Sequence, residues 1–155
     1  MNYSAAFVQL PLVREPGNLR IASPADAHRA CCDMAGLAQE SLHVLCLNGR
    51  HALINRHMVS LGLADSSLAH CREVFRPAVA DGASGIVLVH NHTTGDTTPS
   101  AEDLRITRQM IAAGKIIGIG VLDHVIIGRA SAQADGQPAR PPFLSLRDAG
   151  LCDFT

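Results

Sequence analysis

The feature that most constrains the fold of this chain is a short, uninterrupted apolar run over residues 85–90, which reads Gly-Ile-Val-Leu-Val-His. A continuous run of this length is typical of a central strand that is buried on both faces of a sheet. Such a strand must be covered by other elements. The run therefore predicts an α/β fold in which helices pack on a sheet that contains this strand.

The first half of the chain is predicted to hold a helix and a hairpin. Residues 23–26 read Ser-Pro-Ala-Asp, which predicts a helix start with Ser at the N-cap and Pro at the first helical position. We expect this helix to run to about Ala38. The Asn-Gly pair at 48–49 is a strong turn signal, so a strand over 41–48 is expected to form a hairpin with residues 51–61.

The second half is predicted to alternate helices and strands. Its elements are a helix over about 68–81 that opens at Asp65-Ser66-Ser67, the buried strand, a polar loop over 91–99, a helix from Ser100 to about Ala113, a strand over 119–127, a loop over 129–142 and a turn over 146–149. Pro77 predicts a kink or a late start in the first of these helices. Gly114 stands where a C′ glycine would end the second.

A chain of 155 residues suits one domain, which we place at residues 23–151. The preceding segment, 1–22, is expected to hold a short edge strand because Val8, Leu10 and Leu12 alternate with other residues. Residues 152–155 form a tail. There are no internal repeats.

Composition argues against several classes of protein. The net charge of −1 gives no footprint for nucleic acid or an anionic membrane, so direct nucleic-acid binding is not expected. No apolar run approaches the roughly 20 residues that span a bilayer, and the N-terminus lacks the features of a signal peptide. We therefore expect a cytoplasmic protein. The five cysteines are odd in number and contain no C-x-x-C, which favours reduced thiols that act as small hydrophobic side chains.

The end of the buried strand carries a pattern of metal-ligand type, H-x-H-x7-S-x2-D, formed by His90, His92, Ser100 and Asp103. Residues i and i+2 of a strand share a face, so both imidazoles can point into one crevice. On a helical wheel Asp103 falls in the apolar arc of the following helix, where a carboxylate is costly unless something compensates it. Two histidines and one aspartate suit zinc and leave a position open for water.

Simpler interpretations exist for the same residues. Ser100 and Asp103 also form the sequence of a capping box, which requires no catalysis. A single buried histidine is more often structural than a ligand, although the joint pattern is harder to explain in that way. A hydrolytic site also needs a general base, and the sequence alone leaves Glu40, Glu73 and Asp123 open for that role.

The run over 90–103, HNHTTGDTTPSAED, resembles the RadC-like branch of the JAMM (MPN-type) metalloprotease domain family, whose pattern is close to HNHPSGDPTPSxxD. The similarity extends upstream through Gln-Glu at 39–40 and CREVF at 71–75. It continues downstream through AGK at 113–115, LDH at 122–124 and SLRDAGL at 145–151. It covers roughly residues 20–151.

The resemblance implies a JAMM/MPN fold, a curved mixed sheet flanked by helices and related in architecture to the cytidine deaminases. It implies that His90, His92 and Asp103 bind Zn²⁺ and that Glu40 is the general base. It implies that Ser100 hydrogen-bonds the tetrahedral intermediate or the water at the metal. The family's Pro-Ser is replaced here by Thr at 93–94, and its next Pro by Thr97, so two fixed φ angles are lost from the loop.

The leading hypothesis is a zinc-dependent hydrolase of peptide or isopeptide bonds in a peptide or protein substrate. The alternative is a catalytically silent, metal-stabilised interaction module associated with DNA repair or mobile elements. Longer family members carry an N-terminal helix-hairpin-helix region, which we do not expect within these 155 residues. An HNH nuclease and a zinc deaminase are rejected, since the first spreads its residues over a ββα unit and the second needs P-C-x-x-C. A homodimer is compatible with the sequence.

Overall fold

The structure is a computed structural model that describes residues 19–61, 70–131 and 141–154. Its elements are helix α1 (Pro24–Cys31), a 3₁₀ turn (Cys32–Gly36), strands β1 (Ser41–Leu47) and β2 (Leu53–Leu61), helix α2 (Cys71–Ala80), strand β3 (Gly85–Asn91), helix α3 (Ala101–Ile117) and strands β4 (Gly120–Ile127) and β5 (Phe143–Ser145). Within the described ranges they form a mixed five-stranded sheet, in the order β2-β1-β3-β4-β5, flanked by three α-helices. The α/β architecture expected from the sequence is confirmed.

Strand β3 is the centre of the sheet, as its apolar run predicts. All of its residues are buried. It pairs antiparallel with β1, where Leu42 lies opposite His90, and parallel with β4, where His90 lies opposite Ile126. His90 and His92 therefore lie at the end of a central strand that is hydrogen-bonded to a neighbouring strand on each side.

The two faces of β3 pack into different apolar cores. Ile86 and Leu88 lie in a core with residues of α2 and α3, whereas Val87 and Val89 lie in a core with residues of α1 and the 3₁₀ turn. Strand alternation places His90 on the α3 side, with Ile86 and Leu88. This alternation explains why a strand with no polar residue before its end is stable in this position.

Two helices differ in length from the sequence expectation. Helix α1 begins with the expected Ser23 cap but ends at Cys31, and the chain continues as a 3₁₀ turn. The tighter winding aligns residues three apart, so Cys31 and Met34 are both fully buried. Helix α3 continues past Gly114 and ends at Ile117. Its C-cap is Gly118, whose φ of +82° is the left-handed conformation of a C-terminal cap.

Gly114 is thus inside α3 and has a different purpose from the predicted one. A Cβ at this position would lie 2.5 Å from the carbonyl oxygen of Ile119. The glycine therefore allows α3 to pack closely against the segment that leads into β4. The predicted C′ glycine was wrong by four residues, because close packing and left-handed caps both select glycine.

The predictions for the hairpin and for helix α2 are confirmed in part. The hairpin forms, but its positive φ of 60° belongs to His51 and not to Gly49. Helix α2 starts late, at Cys71, and continues through Pro77. Strand β5 was not predicted. The expected edge strand near Val8, the helix opening at 65–67 and most of the 129–142 loop lie outside the described residues.

Candidate metal centre

His90, His92 and Asp103 converge at the end of β3. His90 Nε2 lies 2.9 Å from His92 Nε2, and the two oxygens of Asp103 lie 3.4 Å from His90 Nε2 and 3.3 Å from His92 Nε2. Asp103 reaches the site from the first turn of α3, and its side chain is 16% exposed. The three residues that the sequence pattern selects are therefore one group of possible metal ligands.

The capping box is also present and uses the same carboxylate. Ser100 Oγ accepts a hydrogen bond from Asp103 N at 3.1 Å, and Asp103 Oδ2 accepts one from Ser100 N at 2.7 Å. The cap holds the carboxylate from one side while the imidazoles face it from the other. Capping and ligand orientation are thus compatible at Asp103, and orientation by an outer hydrogen bond is common in metal sites.

A buried chain of hydrogen bonds fixes the orientation of His90. Thr107 Oγ1 donates to the carbonyl oxygen of Asp103 at 2.6 Å, so it must accept from His124 Nδ1, also at 2.6 Å. The Nε2 atom of a neutral His124 then accepts from His90 Nδ1 at 2.7 Å. Because the His90 proton is on Nδ1, its Nε2 presents a lone pair to His92 and Asp103.

His92 is oriented in the same way by a separate contact. Its Nδ1 donates to the carbonyl oxygen of Asp96 at 2.7 Å, which leaves Nε2 without a proton and with a free lone pair in the neutral ring. Two lone pairs and a carboxylate thus face one another, and this arrangement repels itself unless a metal ion or a proton lies between them. Tetrahedral zinc with Zn–N bonds of about 2.0–2.1 Å separates its ligand atoms by about 3.3 Å, close to the spacings here. The donor set fits a metal ion.

The protonation behaviour of the group agrees with this geometry. Burial lowers the pKa of His90 to about 4, although the charge of Asp103 opposes the shift. Burial also lowers the pKa of His124 well below its usual range, so this ring is neutral. A hydrogen bond with Asp103 raises the pKa of His92 and outweighs its burial.

Asp103 stays ionised in this surrounding. Burial alone would raise the pKa of Asp103, but hydrogen bonds with His92 and Ser100 lower it well below its usual range. The site therefore keeps an anionic carboxylate beside an imidazole that is neutral throughout the physiological range.

Glu40 lies beside this group through the pairing of β1 with β3. Leu42 pairs with His90, so residue 40 is level with His92 when the antiparallel register is extended by two residues. The charge of Glu40 is close enough to raise the pKa of His92. The side chain is half-buried.

Asn91, the residue between the two histidines, clamps the backbone on both sides of Glu40. Its Oδ1 accepts from Ser41 N at 2.9 Å and from Ser41 Oγ at 3.0 Å, and its Nδ2 donates to the carbonyl oxygen of Gln39 at 3.1 Å. Asn91 therefore ties the glutamate segment to the strand that carries the histidines. Sequence reasoning did not assign it a role.

The other two residues considered as a general base lie elsewhere. Glu73 is on α2 and pairs with Arg72 and Arg76. Asp123 is buried on β4, where its Oδ2 accepts from Ser145 Oγ at 2.6 Å and its Oδ1 accepts from His124 N at 2.7 Å. Asp123 fastens β4 to β5 and faces away from the histidine group.

Sequence reasoning also missed His124 and Thr107. The sequence pattern assigns no role to either residue. A signal for both exists: Thr107 lies one turn after Asp103, and His124 is a polar residue within the apolar strand β4. A wheel that places Thr107 beside Asp103 on the inner face of α3 would identify a second buried polar group.

In the part of the chain that the structure describes, every helix is too short or too polar to cross a membrane. All five cysteines are free thiols, as the sequence predicts.

Comparison with known proteins identifies the family. A model of the RadC-like JAB domain matches residues 21–136. The UPF0758 protein TTE0897 of Caldanaerobacter subterraneus subsp. tengcongensis is 40% identical over 147 residues, which are 94% of this chain and 58% of that protein. The UPF0758 protein STH371 of Symbiobacterium thermophilum is 47% identical over 118 residues, 76% of this chain and 46% of that protein.

A third relative, UPF0758 protein Mbar_A2303 of Methanosarcina barkeri, is 34% identical over 140 residues, 90% of this chain and 56% of that protein. The chain thus spans about half the length of the curated relatives it matches. The matched region contains β1 to β4 and both ends of the histidine and aspartate pattern. The chain belongs to the RadC-like JAB domain family.

Proposed function

We propose that this protein is a zinc-dependent hydrolase of the JAMM type that cleaves peptide or isopeptide bonds. The observation that carries the proposal is the convergence of two imidazole lone pairs and one carboxylate, with Glu40 level with His92. Three protein ligands leave a fourth position for water or substrate, as in catalytic zinc sites. His90, His92 and Asp103 would hold the ion.

Bound zinc would polarise a carbonyl group and lower the pKa of water in that position. Glu40 would take the proton from the attacking water and deliver it to the leaving amine, because it lies beside His92 and is held from both sides by Asn91. Ser100 Oγ already accepts from Asp103 N. Its own O–H would donate to the oxygen on which negative charge develops.

A second candidate function is a metal-stabilised module without catalysis, associated with DNA repair or mobile elements. The hydrogen-bond chain from His90 through His124 to Thr107 favours it, since that chain joins β3, β4 and α3. A metal ion at this junction would stabilise the domain whether or not it reacts.

Two variants separate these functions. His92→Ala should lower the zinc content by one equivalent and abolish hydrolysis of a library of peptides and isopeptide-linked lysines. Glu40→Gln should retain zinc and fold but lose hydrolysis by about 10²-fold or more. An active Glu40→Gln protein would refute the assigned base. Wild-type protein that holds zinc yet cleaves no member of the library would favour the silent module.

A further inference from the structure

A second cluster of possible metal ligands lies at the other end of the sheet. Cys46 of β1, His57 of β2 and Asp81 after α2 bring their ligand atoms to within 4.8 Å of one another. Cys46 pairs with Ile86, four residues along β3 from His90. At about 3.3 Å per residue the two clusters are about 13 Å apart, so they cannot share an ion.

Asp81 is poorly placed for a carboxylate without a cation. It is the C-cap of α2, where the helix dipole is negative, and the last turn of that helix has no basic residue. Its side chain is only 11% exposed. His57 Nε2 lies 2.6 Å from Asp81 Oδ2, while Asn55 Nδ2 donates to Asp81 Oδ1 at 3.0 Å. Asn55 thus orients the carboxylate and leaves Oδ2 directed at the cluster.

Cys46 is the third member and does not behave as a nucleophile. Cys46 is fully buried. Burial, together with the charge of Asp81, raises the pKa of the Cys46 thiol to about 12. A thiol in that state is inert towards substrates. A metal ion would reverse this, because thiolate, not thiol, is the metal-bound form.

We propose that Cys46, His57 and Asp81 form a second metal site for a divalent ion of zinc type. One thiolate, one imidazole and one carboxylate are a ligand set of intermediate softness, which zinc and cobalt(II) accept in tetrahedral geometry. Binding forms a metal–Sγ bond and releases the thiol proton to solvent. It also breaks the hydrogen bond between His57 Nε2 and Asp81 Oδ2. The Nε2 proton moves to Nδ1 or to solvent, so that the Nε2 lone pair binds the metal. The ion enters past His57, whose side chain is 33% exposed.

The site would fasten the β1–β2 hairpin to the C-terminal end of α2. It also places a cation beside the Asp81 carboxylate at the negative end of α2. The proposal does not depend on the hydrolase hypothesis, because it uses none of the residues of the first cluster.

Cobalt(II) titration tests the proposal, since only a thiolate ligand gives a near-ultraviolet thiolate-to-cobalt charge-transfer band. The first cluster contains no cysteine, so it cannot give this band, and the cysteine variants below identify which thiolate does. The full chain carrying His92→Ala should bind one equivalent of cobalt with this band. Adding Cys46→Val should abolish both the band and the binding, whereas Cys31→Val, at another fully buried cysteine, should leave both unchanged.

His57→Gln provides a second variant that leaves the buried Cys46 in place. It should weaken cobalt binding by more than about tenfold, and far-ultraviolet circular dichroism should show an unchanged fold. Absence of the band in the His92→Ala protein would overturn the proposal in favour of a His57–Asp81 ion pair. A band that survives Cys46→Val would also overturn it, because another cysteine would then be the ligand.

Discussion

The orientation of His90 depends on a single hydroxyl group, that of Thr107. Thr107→Val keeps the volume but removes the acceptor for His124 Nδ1, so His124 and then His90 lose their fixed tautomers. We expect the zinc affinity of the first cluster to fall about 10- to 100-fold, measured by competition with a chromophoric chelator. Thr107→Ser, which keeps the hydroxyl, should bind zinc as wild type does. Equal affinity in the valine variant would contradict the relay.

The pH dependence of zinc binding depends chiefly on His92. Asp103 is ionised and His90 is neutral above about pH 4, whereas the hydrogen bond with Asp103 raises the pKa of His92. Zinc must displace the His92 proton, so affinity should be constant above that pKa and fall about tenfold per pH unit below it. Competition titrations in the Cys46→Val protein measure this slope. A fall of about a hundredfold per unit near pH 6 would show that His90 also titrates.

A variant of Asn91 can test the positioning of Glu40, the proposed base, separately from metal binding. Asn91→Ala removes the three hydrogen bonds that hold residues 39 and 41. It should lower the free energy of unfolding by about 2–3 kcal/mol and reduce kcat while the zinc content stays at the wild-type value. Ser41→Ala, which removes one of the three bonds, should have a much smaller effect on kcat. Loss of zinc from Asn91→Ala would contradict this division of roles.

At the scale of single residues, the candidate ligands were predictable and the residues that orient them were not. His90, His92 and Asp103 share one short stretch of sequence, so strand and helix periodicity suffice to bring them together. His124 is more than thirty residues from His90 and reaches it only because β3 and β4 are parallel neighbours. Glu40 required the family resemblance, because its approach depends on the register between β1 and β3.

At the scale of elements, the two glycines of α3 have separable effects. Gly118→Ala should cost about 1 kcal/mol because its φ is +82°. Gly114→Ala should cost more, about 2–3 kcal/mol, because the added Cβ would meet the backbone oxygen of Ile119 at 2.5 Å. Urea unfolding of both variants gives the order. The reverse order would mean that the end of α3 moves to accommodate a side chain at 114.

The elements that were predicted correctly from the sequence are those whose position is set by one local feature. Strand β3 follows from its apolar run, and α1 and α3 start at Ser-capped boxes that local hydrogen bonds define. The predicted ends of α1 and α3 were wrong because tertiary packing determines where these helices end. Met34 is buried in the core after α1, and Gly114 packs against Ile119 within α3. Strand β5 has three residues and depends on Asp123, which no local pattern indicates.

At the scale of the whole molecule, metal binding should appear as stability. Zinc at 100 times its dissociation constant adds about 2.7 kcal/mol to the free energy of unfolding, which corresponds to about 5–10 °C in Tm for a domain of this size. Calorimetry with zinc and with a chelator measures the difference. His92→Ala should lose much of the increase, and His92→Ala with Cys46→Val should lose it entirely. An unchanged increase in the double variant would place the ion elsewhere.

The alternation of side chains along β3 restricts how such a chain can change during evolution. His90 and His92 face α3, while Asn91, between them, faces the segment that carries Glu40. Insertion or deletion of one residue within the strand would exchange these faces, turning the asparagine towards Asp103 and the histidines away from it. The loop between His92 and Ser100 is tied to the site as well, because its Asp96 carbonyl accepts from His92 Nδ1. Length variation among related chains should therefore be absent from both the strand and this loop.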